Sequence, residues 1–513
     1  MSVTRRTFLA GGTAAGALLL GGGADALAQP LGGVKAGPSR ASRLFPGYRL
    51  AHADLHNHSL NSDGDGDPAR AFGSMRDAGL DVAALTDHAT VAKALPSQAA
   101  ELACAVDGCG VIGIDEQKWQ AVKGLADSAN RDGSFTSIRG FEWSSPTLGH
   151  MNVWFSETWT DPASTGGFTS GEGLAQFLHD VPGLGPAVAA PLDAAVRALP
   201  STGSSMLLFH EWLASHPSRP VLGGGSDAII GFNHPGREPG RFGYFAYDQR
   251  LRERLVSCEV FNRGEDYLFE GTDAGFSSPI AECLDAGWKV GLLGVTDEHG
   301  TDWGYPDGKG RTGLWVKQLS RAGVREAMES RRFFSTRLRG LRLDASMKGV
   351  RMGRTVAHRN GVAEFALDLD KGPEWYGHAL VVQVLQTGRP LPRVIAQRTV
   401  RVPRPGEPVI RFSVPVDAED GRWVVLRVTD PSARPDGRAT GAYVGAGSAI
   451  AYASPFFLEP SAAPAAPVGP PRSTERAGPA RLPSTGGSAA AAAAGLVAVG
   501  AAASLRPRRP HAE

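Results

Sequence analysis

The residues best able to do chemistry gather in short segments that carry histidine and carboxylate. Asp54-Leu55-His56-Asn57-His58-Ser59 opens the series, followed by Ser62-Asp63-Gly64 and by Ala84-Leu85-Thr86-Asp87-His88. In an extended chain, side chains two residues apart point the same way, so His56 and His58 can meet one metal ion. Downstream come Gly140-Phe141-Glu142-Trp143, Gly149-His150-Met151-Asn152, Phe232-Asn233-His234-Pro235 and Val295-Thr296-Asp297-Glu298-His299. Oxygen and imidazole donors suit Mn, Fe or Zn, and none of these segments offers a thiolate. Water bridging such ions is acidified to hydroxide near neutral pH, so these residues point to metal-assisted hydrolysis without a Ser or Cys nucleophile.

For the segments to meet, strands must carry them to one end of a sheet. From Tyr48 onward, short apolar runs alternate with helical patterns, as in βα units. The strand candidates are Leu50–Leu55, Val82–Thr86, Ser137–Glu142, Met151–Phe155, Ile229–Asn233, Leu255–Phe261 and Val290–Thr296. A helix starts at Asp67-Pro68 and ends near Gly79. A second starts at Ser278-Pro279 and stops at Gly287, and a third runs from Ser320 to Arg331. The expected fold class is α/β, a β/α barrel whose strand ends converge on one face, where active sites lie. It spans residues 48–337, with a helical, Gly/Ser-rich insertion at about 166–225 that could shape the substrate pocket. Residues 338–458 change texture to short apolar runs between Pro, Gly and Asp turns, which predicts an antiparallel β-sandwich accessory domain.

Both ends read as addresses. Residues 1–28 hold Arg5-Arg6-Thr7-Phe8-Leu9, an apolar run and Ala26-Leu27-Ala28, which resembles a twin-arginine export signal. A linker, 29–47, follows. After a Pro/Ala-rich linker, 459–481, residues 482–513 carry Leu482-Pro483-Ser484-Thr485-Gly486, an apolar stretch to about Leu505 and a basic tail. This resembles the LPxTG sorting signal of Gram-positive surface proteins. The resemblance implies the twin-arginine translocase, sortase and peptidoglycan as partners and the cell wall as location. A general secretory signal and a plain membrane anchor are the alternatives.

The 53 Lys and Arg nearly balance 52 Asp and Glu, and no nucleic-acid-binding surface is evident. No cysteine pair forms a CxxC, so a thiolate zinc site is not expected. For an exported chain, Cys104–Cys109 and Cys258–Cys283 are the natural disulfide pairs, among three possible connectivities. Asp63, Asp65 and Asp67 have the spacing that opens a calcium loop, but Pro68 and Ser74 occupy its required Gly and Glu positions. His52, His179, His210 and His216 are left unassigned, because a lone histidine is more often a packed residue than a ligand.

Taken in order, the HxH, SDG, TDH, Glu-before-Trp, GHMN, NHP and DxH segments resemble the PHP family, named for polymerase and histidinol phosphatase. The likeness is to secreted members related to carbaryl hydrolase, with a barrel preceding a β-rich tail. The resemblance implies a distorted seven-stranded β/α barrel holding three divalent metal ions. His56, His58 and Asp297 would hold the first, and Glu142 would bridge it to a second held by His150 and His234. Asp63, His88 and His299 would hold the third. Metal-activated hydroxide would then attack a phosphate mono- or diester. Arg237 and Arg241 could clamp a phosphate oxygen, although surface solvation is their plainer reading. Two other functions stay open: hydrolysis of a carboxylic ester, carbamate or amide by the same metals, and a non-catalytic binding protein displayed on the wall.

Overall fold

The structure is a computed structural model describing residues 39–90, 113–145, 148–162, 164–166, 206–220, 222–238, 240–304 and 308–460. These fall within one compact unit, Met1–Ser461. Both terminal signals, Cys104, Cys109, His179 and most of the expected insertion lie outside the described residues. Among those described, no helix is long and apolar enough to cross a membrane.

The architecture is mixed α/β, with one large sheet, a second of four strands, and few helices. The strands that position the histidine-bearing segments are β1 (Arg49–Asp54), β2 (Val82–Leu85), β3 (Thr136–Ser145), β4 (Gly149–Trp154), β5 (Ile229–Phe232), β6 (Leu255–Asn262) and β7 (Gly291–Val295). Pairing runs β1–β2–β3 in parallel, β3–β4–β5 antiparallel, then β5–β6–β7 in parallel. A parallel bridge between Asn57 and Glu298, just beyond the ends of β1 and β7, returns the last strand of this run to the first. β2, β5 and β7 are buried along their whole length, which is why they read as continuous apolar runs rather than as alternation.

Helix boundaries follow local chemistry. α1 (Pro68–Asp77) begins where the Asp67 side chain accepts from Ala69 N, with proline at the first helical position; Ala71, Phe72 and Met75 face inward. α2 (Glu116–Ala129) is capped by Asp115 and was not foreseen from sequence. α3 (Leu207–Ala214) falls inside the expected insertion. α4 (Pro279–Asp285) starts at its proline without a side-chain cap from Ser278, whereas in α5 (Arg321–Glu329) Ser320 accepts from Gly323 N.

β1 also pairs antiparallel with β8 (Arg311–Val316), which pairs with β9 (Phe333–Thr336). The strands of six or more residues that follow are β10 (Arg342–Met347), β11 (Asn360–Asp370), β12 (Ala379–Gln386), β13 (Arg393–Arg401), β14 (Ile410–Asp417), β15 (Trp423–Asp430) and β16 (Ser448–Ala453). The order β9–β16–β15–β12–β13 extends the large sheet, while β10, β11 and β14 belong to the four-stranded one. Side chains of both sheets share a core: Leu343, Phe365 and Leu367 meet Val382, Leu426 and Ala451, together with Leu50, Trp315 and Phe334. The register pair Phe334–Ala453 therefore carries the sheet across the position near residue 338 where the sequence changes texture.

Candidate metal centre

Strand register assembles the centre. The bridge residues His88 and Ala89 pair with β3 so that His88 lies beside Glu142, and across the β3–β4 hairpin Ser144 faces His150. Asn233 reaches back from the end of β5 and donates Nδ2–H to Glu142 Oε1 at 2.7 Å. Asp54, at the end of β1, accepts from Thr296 N and Oγ1, tying the segment after β7 to the one that carries His56. Asp87 accepts from Ser59 N and from the hydroxyls of Ser59 and Ser62, which fixes the loop leading to Asp63. Gly64 allows that loop to fold tightly, because a Cβ there would stand 2.6 Å from Ser59 N. His234 and Asp297 hold φ of 24° and 47°, left-handed conformations that non-glycine residues adopt chiefly where the surroundings enforce them.

All nine expected residues lie in one cluster of overlapping groups: His56, His58 and Asp297; His58, Asp63, His88 and His299; His88, Glu142 and His150; and His150, His234 and Glu238. The first group is the set expected for one ion. The second is the set expected for another, joined by His58. Glu142 sits at the centre, its oxygens 3.2 Å from His56 Nε2, 2.6 Å from His88 Nδ1 and 3.3 Å from both His150 Nδ1 and His234 Nε2.

The donors fit divalent ions. His56 Nε2 and His58 Nε2 lie 3.1 Å apart, and Asp297 Oδ1 is 3.5 and 3.2 Å from them. His150 Nδ1, His234 Nδ1 and Asp297 Oδ2 are buried without a hydrogen-bond partner, a costly condition for polar groups packed for fold alone. Protonation tells the same story. Burial opposes charge on His56, but Asp297, Glu142 and Glu259 outweigh it and raise its pKa well above the ordinary value. Burial likewise opposes charge on His88, which Asp63 and Glu142 nevertheless hold well above that value. His58 goes the other way, to about 3, through burial and the neighbouring His299 and His88. Against a strong burial penalty, Glu142 and Asp297 are held well below the carboxylate range by the histidines around them. Without metal the cluster therefore keeps protons on some imidazoles that a cation would displace.

Several residues the sequence did not single out complete the site. Glu259, in β6, accepts from His56 Nδ1 at 2.8 Å and from the His234 backbone N–H at 2.8 Å. A lone glutamate in the buried run Leu255–Asn262 was the available signal. Glu238 follows His234 by four residues, with no motif to mark it. Arg263 places Nε 3.3 Å from Asp297 Oδ2 and Nη2 3.1 Å from His299 Nδ1, and is 46% exposed. Lys309 pairs with Glu298, next to Asp297.

The two expected clamp arginines separate. Arg237 donates to Tyr267 Oη at 2.9 Å and lies 3.9 Å from Asp297, 40% exposed at the rim. Arg241 is neither a clamp nor solvated. It is buried, donating to Glu282 at 2.6 Å and to the Ser277 carbonyl at 3.1 Å. Its guanidinium braces the turn Arg241–Phe245, which runs through left-handed φ at Phe242 and Tyr244, and is unavailable to substrate.

The expected Cys258–Cys283 disulfide is also corrected: both are buried free thiols. Burial and the adjacent Cys258 push the Cys283 thiol well up, and a protonated thiol does not undergo exchange. Among the unassigned histidines, His52 and His210 are buried, and His216 is exposed, bonded to Ser218.

No protein-family model matches the chain, and no curated protein matches it. Among solved structures it is similar to a two-domain protein from Bacteroides vulgatus containing a predicted PHP-like metal-dependent phosphoesterase, at 15% identity over 82% of this chain and 98% of that one, TM-score 0.35. It is also similar to a protein from Bifidobacterium adolescentis assigned as a metal-dependent phosphoesterase, at 16% identity over 49% and 88% of the two chains, TM-score 0.26. A third is an amidohydrolase from Chromobacterium violaceum with bound sulfate, again at 16% identity over 49% and 88%, TM-score 0.24. At TM-scores this low, these likenesses assign neither a family nor an activity to the chain.

Proposed function

We propose that this chain is a metal-dependent hydrolase that cleaves a phosphate mono- or diester at the cell surface. The observation that carries the reading is the convergence of nine His, Asp and Glu side chains from separate segments on one cluster around the buried Glu142, with Asp63 at its exposed edge. Divalent ions held by these residues would acidify a water and neutralise charge developing on a phosphoryl group. The protein's own contribution is placement. Glu259 holds His56 Nδ1 and so turns Nε2 toward the cluster, and Asp54, Thr296 and Asn57 tie together the segments that carry its ligands. Arg263 and Arg237 place positive charge at the half-exposed rim, where an anionic substrate would arrive. The strand run β1 to β7, joined end to end by the Asn57–Glu298 bridge, supports reading this part as the distorted seven-stranded PHP-type barrel.

The test is an elemental analysis of purified protein with a hydrolysis screen covering p-nitrophenyl phosphate, bis-p-nitrophenyl phosphate, p-nitrophenyl acetate and an aryl carbamate. Bound Mn, Fe or Zn with turnover of the phosphates supports the reading. Turnover confined to acetate or carbamate moves it to the carboxylic ester and carbamate class, and metal-free, inactive protein leaves the wall-displayed binding protein. The surface location rests on the two terminal signals, through the twin-arginine translocase, sortase and peptidoglycan. Deleting residues from Leu482 onward should release the protein to the medium, and retention on the wall would contradict it.

A further inference from the structure

His150 and His234 each present two ring nitrogens to two different carboxylates. One nitrogen of each ring lies 3.3 Å from Glu142 Oε1. The opposite nitrogens face Glu238 Oε1, at 3.6 Å from His234 Nδ1 and 4.0 Å from His150 Nε2. Those separations are too long for hydrogen bonds. They match donors arranged around one cation, since bonds of about 2.1 Å leave neighbouring ligand atoms roughly 3 to 4 Å apart.

Two further features point the same way. Glu238 is 8% exposed, and its Oε2 and His234 Nδ1 are both buried with no hydrogen-bond partner. A buried carboxylate oxygen left unpaired is expensive, and a bound cation is what resolves it. Backbone geometry aims the group: His234 at φ 24° and Gly236 at φ 92° turn the chain back so that residue 238 returns over the ring of residue 234.

We propose that Glu238 is a metal ligand, forming with His150 and His234 a two-histidine, one-carboxylate site on the side of these rings away from Glu142, in place of the Glu142-bridged position expected for these two histidines. The set suits a divalent first-row ion such as Mn, Fe or Zn. This rests on the metal-centre reading above and extends it to a position that none of the sequence motifs marks.

The experiment uses the full-length protein loaded with Mn, dialysed, and measured for bound metal and for unfolding temperature with and without added Mn. E238Q, which keeps shape and loses the charge, should hold one equivalent fewer, or bind one at least about tenfold more weakly. H56A should lose a different equivalent, so that the double variant loses both. If the unchanged protein binds metal and E238Q matches it in count, affinity and Mn-induced stabilisation, Glu238 merely supplies negative charge beside the two imidazoles and the proposal falls while the metal centre stands. Unchanged protein that binds no metal overturns both. If E238Q does not fold, E238A is measured in its place: one equivalent fewer supports ligation, and an unchanged count and affinity overturn it.

Discussion

Replacing Glu259 with glutamine should weaken metal binding although residue 259 is not among the expected ligands. Its two oxygens serve three donors: His56 Nδ1–H, the backbone N–H of His234 and Asn262 Nδ2–H, each at 2.8 Å. A carboxamide keeps one oxygen. If that oxygen stays on His234 and Asn262, the new NH2 group faces His56 Nδ1 and forces the tautomer whose proton sits on Nε2. That nitrogen is the one directed at His58, Glu142 and Asp297, so the proton points into the space a cation would occupy. If the amide flips instead, the His234 N–H is left facing another N–H donor in a buried site, at a cost of about 1–3 kcal/mol. Either outcome should raise the dissociation constant for Mn or Zn by about 10–100-fold, or roughly 1.4–2.7 kcal/mol. Competition with a chromophoric chelator measures it, and circular dichroism confirms that E259Q folds. A folded E259Q with unchanged metal affinity would refute the idea that this carboxylate sets the His56 tautomer.

Three further predictions follow from the same geometry. Metal loading should release protons: burial and Arg237 oppose charge on His234, but Glu238 and Glu142 hold it up to about 9, and His56 and His88 are also raised, so affinity should increase from pH 7 to 9. Calorimetry in buffers of different ionisation enthalpy reads this, and an enthalpy independent of buffer would exclude it. R241A should lower stability by about 2–3 kcal/mol in urea unfolding, the smaller end for a buried pair because Glu282 is partly exposed, with KM unchanged; a stable variant with raised KM would restore Arg241 as a substrate clamp. His52, which burial lowers to about 4, binds a proton more readily unfolded than folded, so its contribution is complete above about pH 6.5 and is lost as pH falls toward 4. The full window is worth about 3 kcal/mol, and H52Q should flatten the slope of stability against pH there. An unchanged slope would rule out the assignment.

The sequence by itself determined which residue types meet and roughly where the strands that carry them begin and end. Two-residue spacing fixed His56 and His58 on one side of the chain, and continuous apolar runs marked β2, β5 and β7, because hydrophobic burial and side-chain periodicity are local properties. The cap at Asp67 was equally legible, since a cap is a contact between residues two or three apart, whereas Ser278 starts its helix without one. What the tertiary structure decided concerns partners distant in the chain. Arg237 and Arg241 differ by four positions, yet one reaches the cluster rim and the other is consumed by Glu282 from α4. Glu259 and Glu238 acquire meaning when His56, His150 and His234 are folded against them, across separations that no local pattern encodes. Cys258 and Cys283 become neighbours in an apolar core whose burial pushes the Cys283 thiol up, a property of its surroundings and not of spacing. Electrostatic identity here is set by desolvation and by charges brought within a few ångströms, and those are quantities of the folded chain.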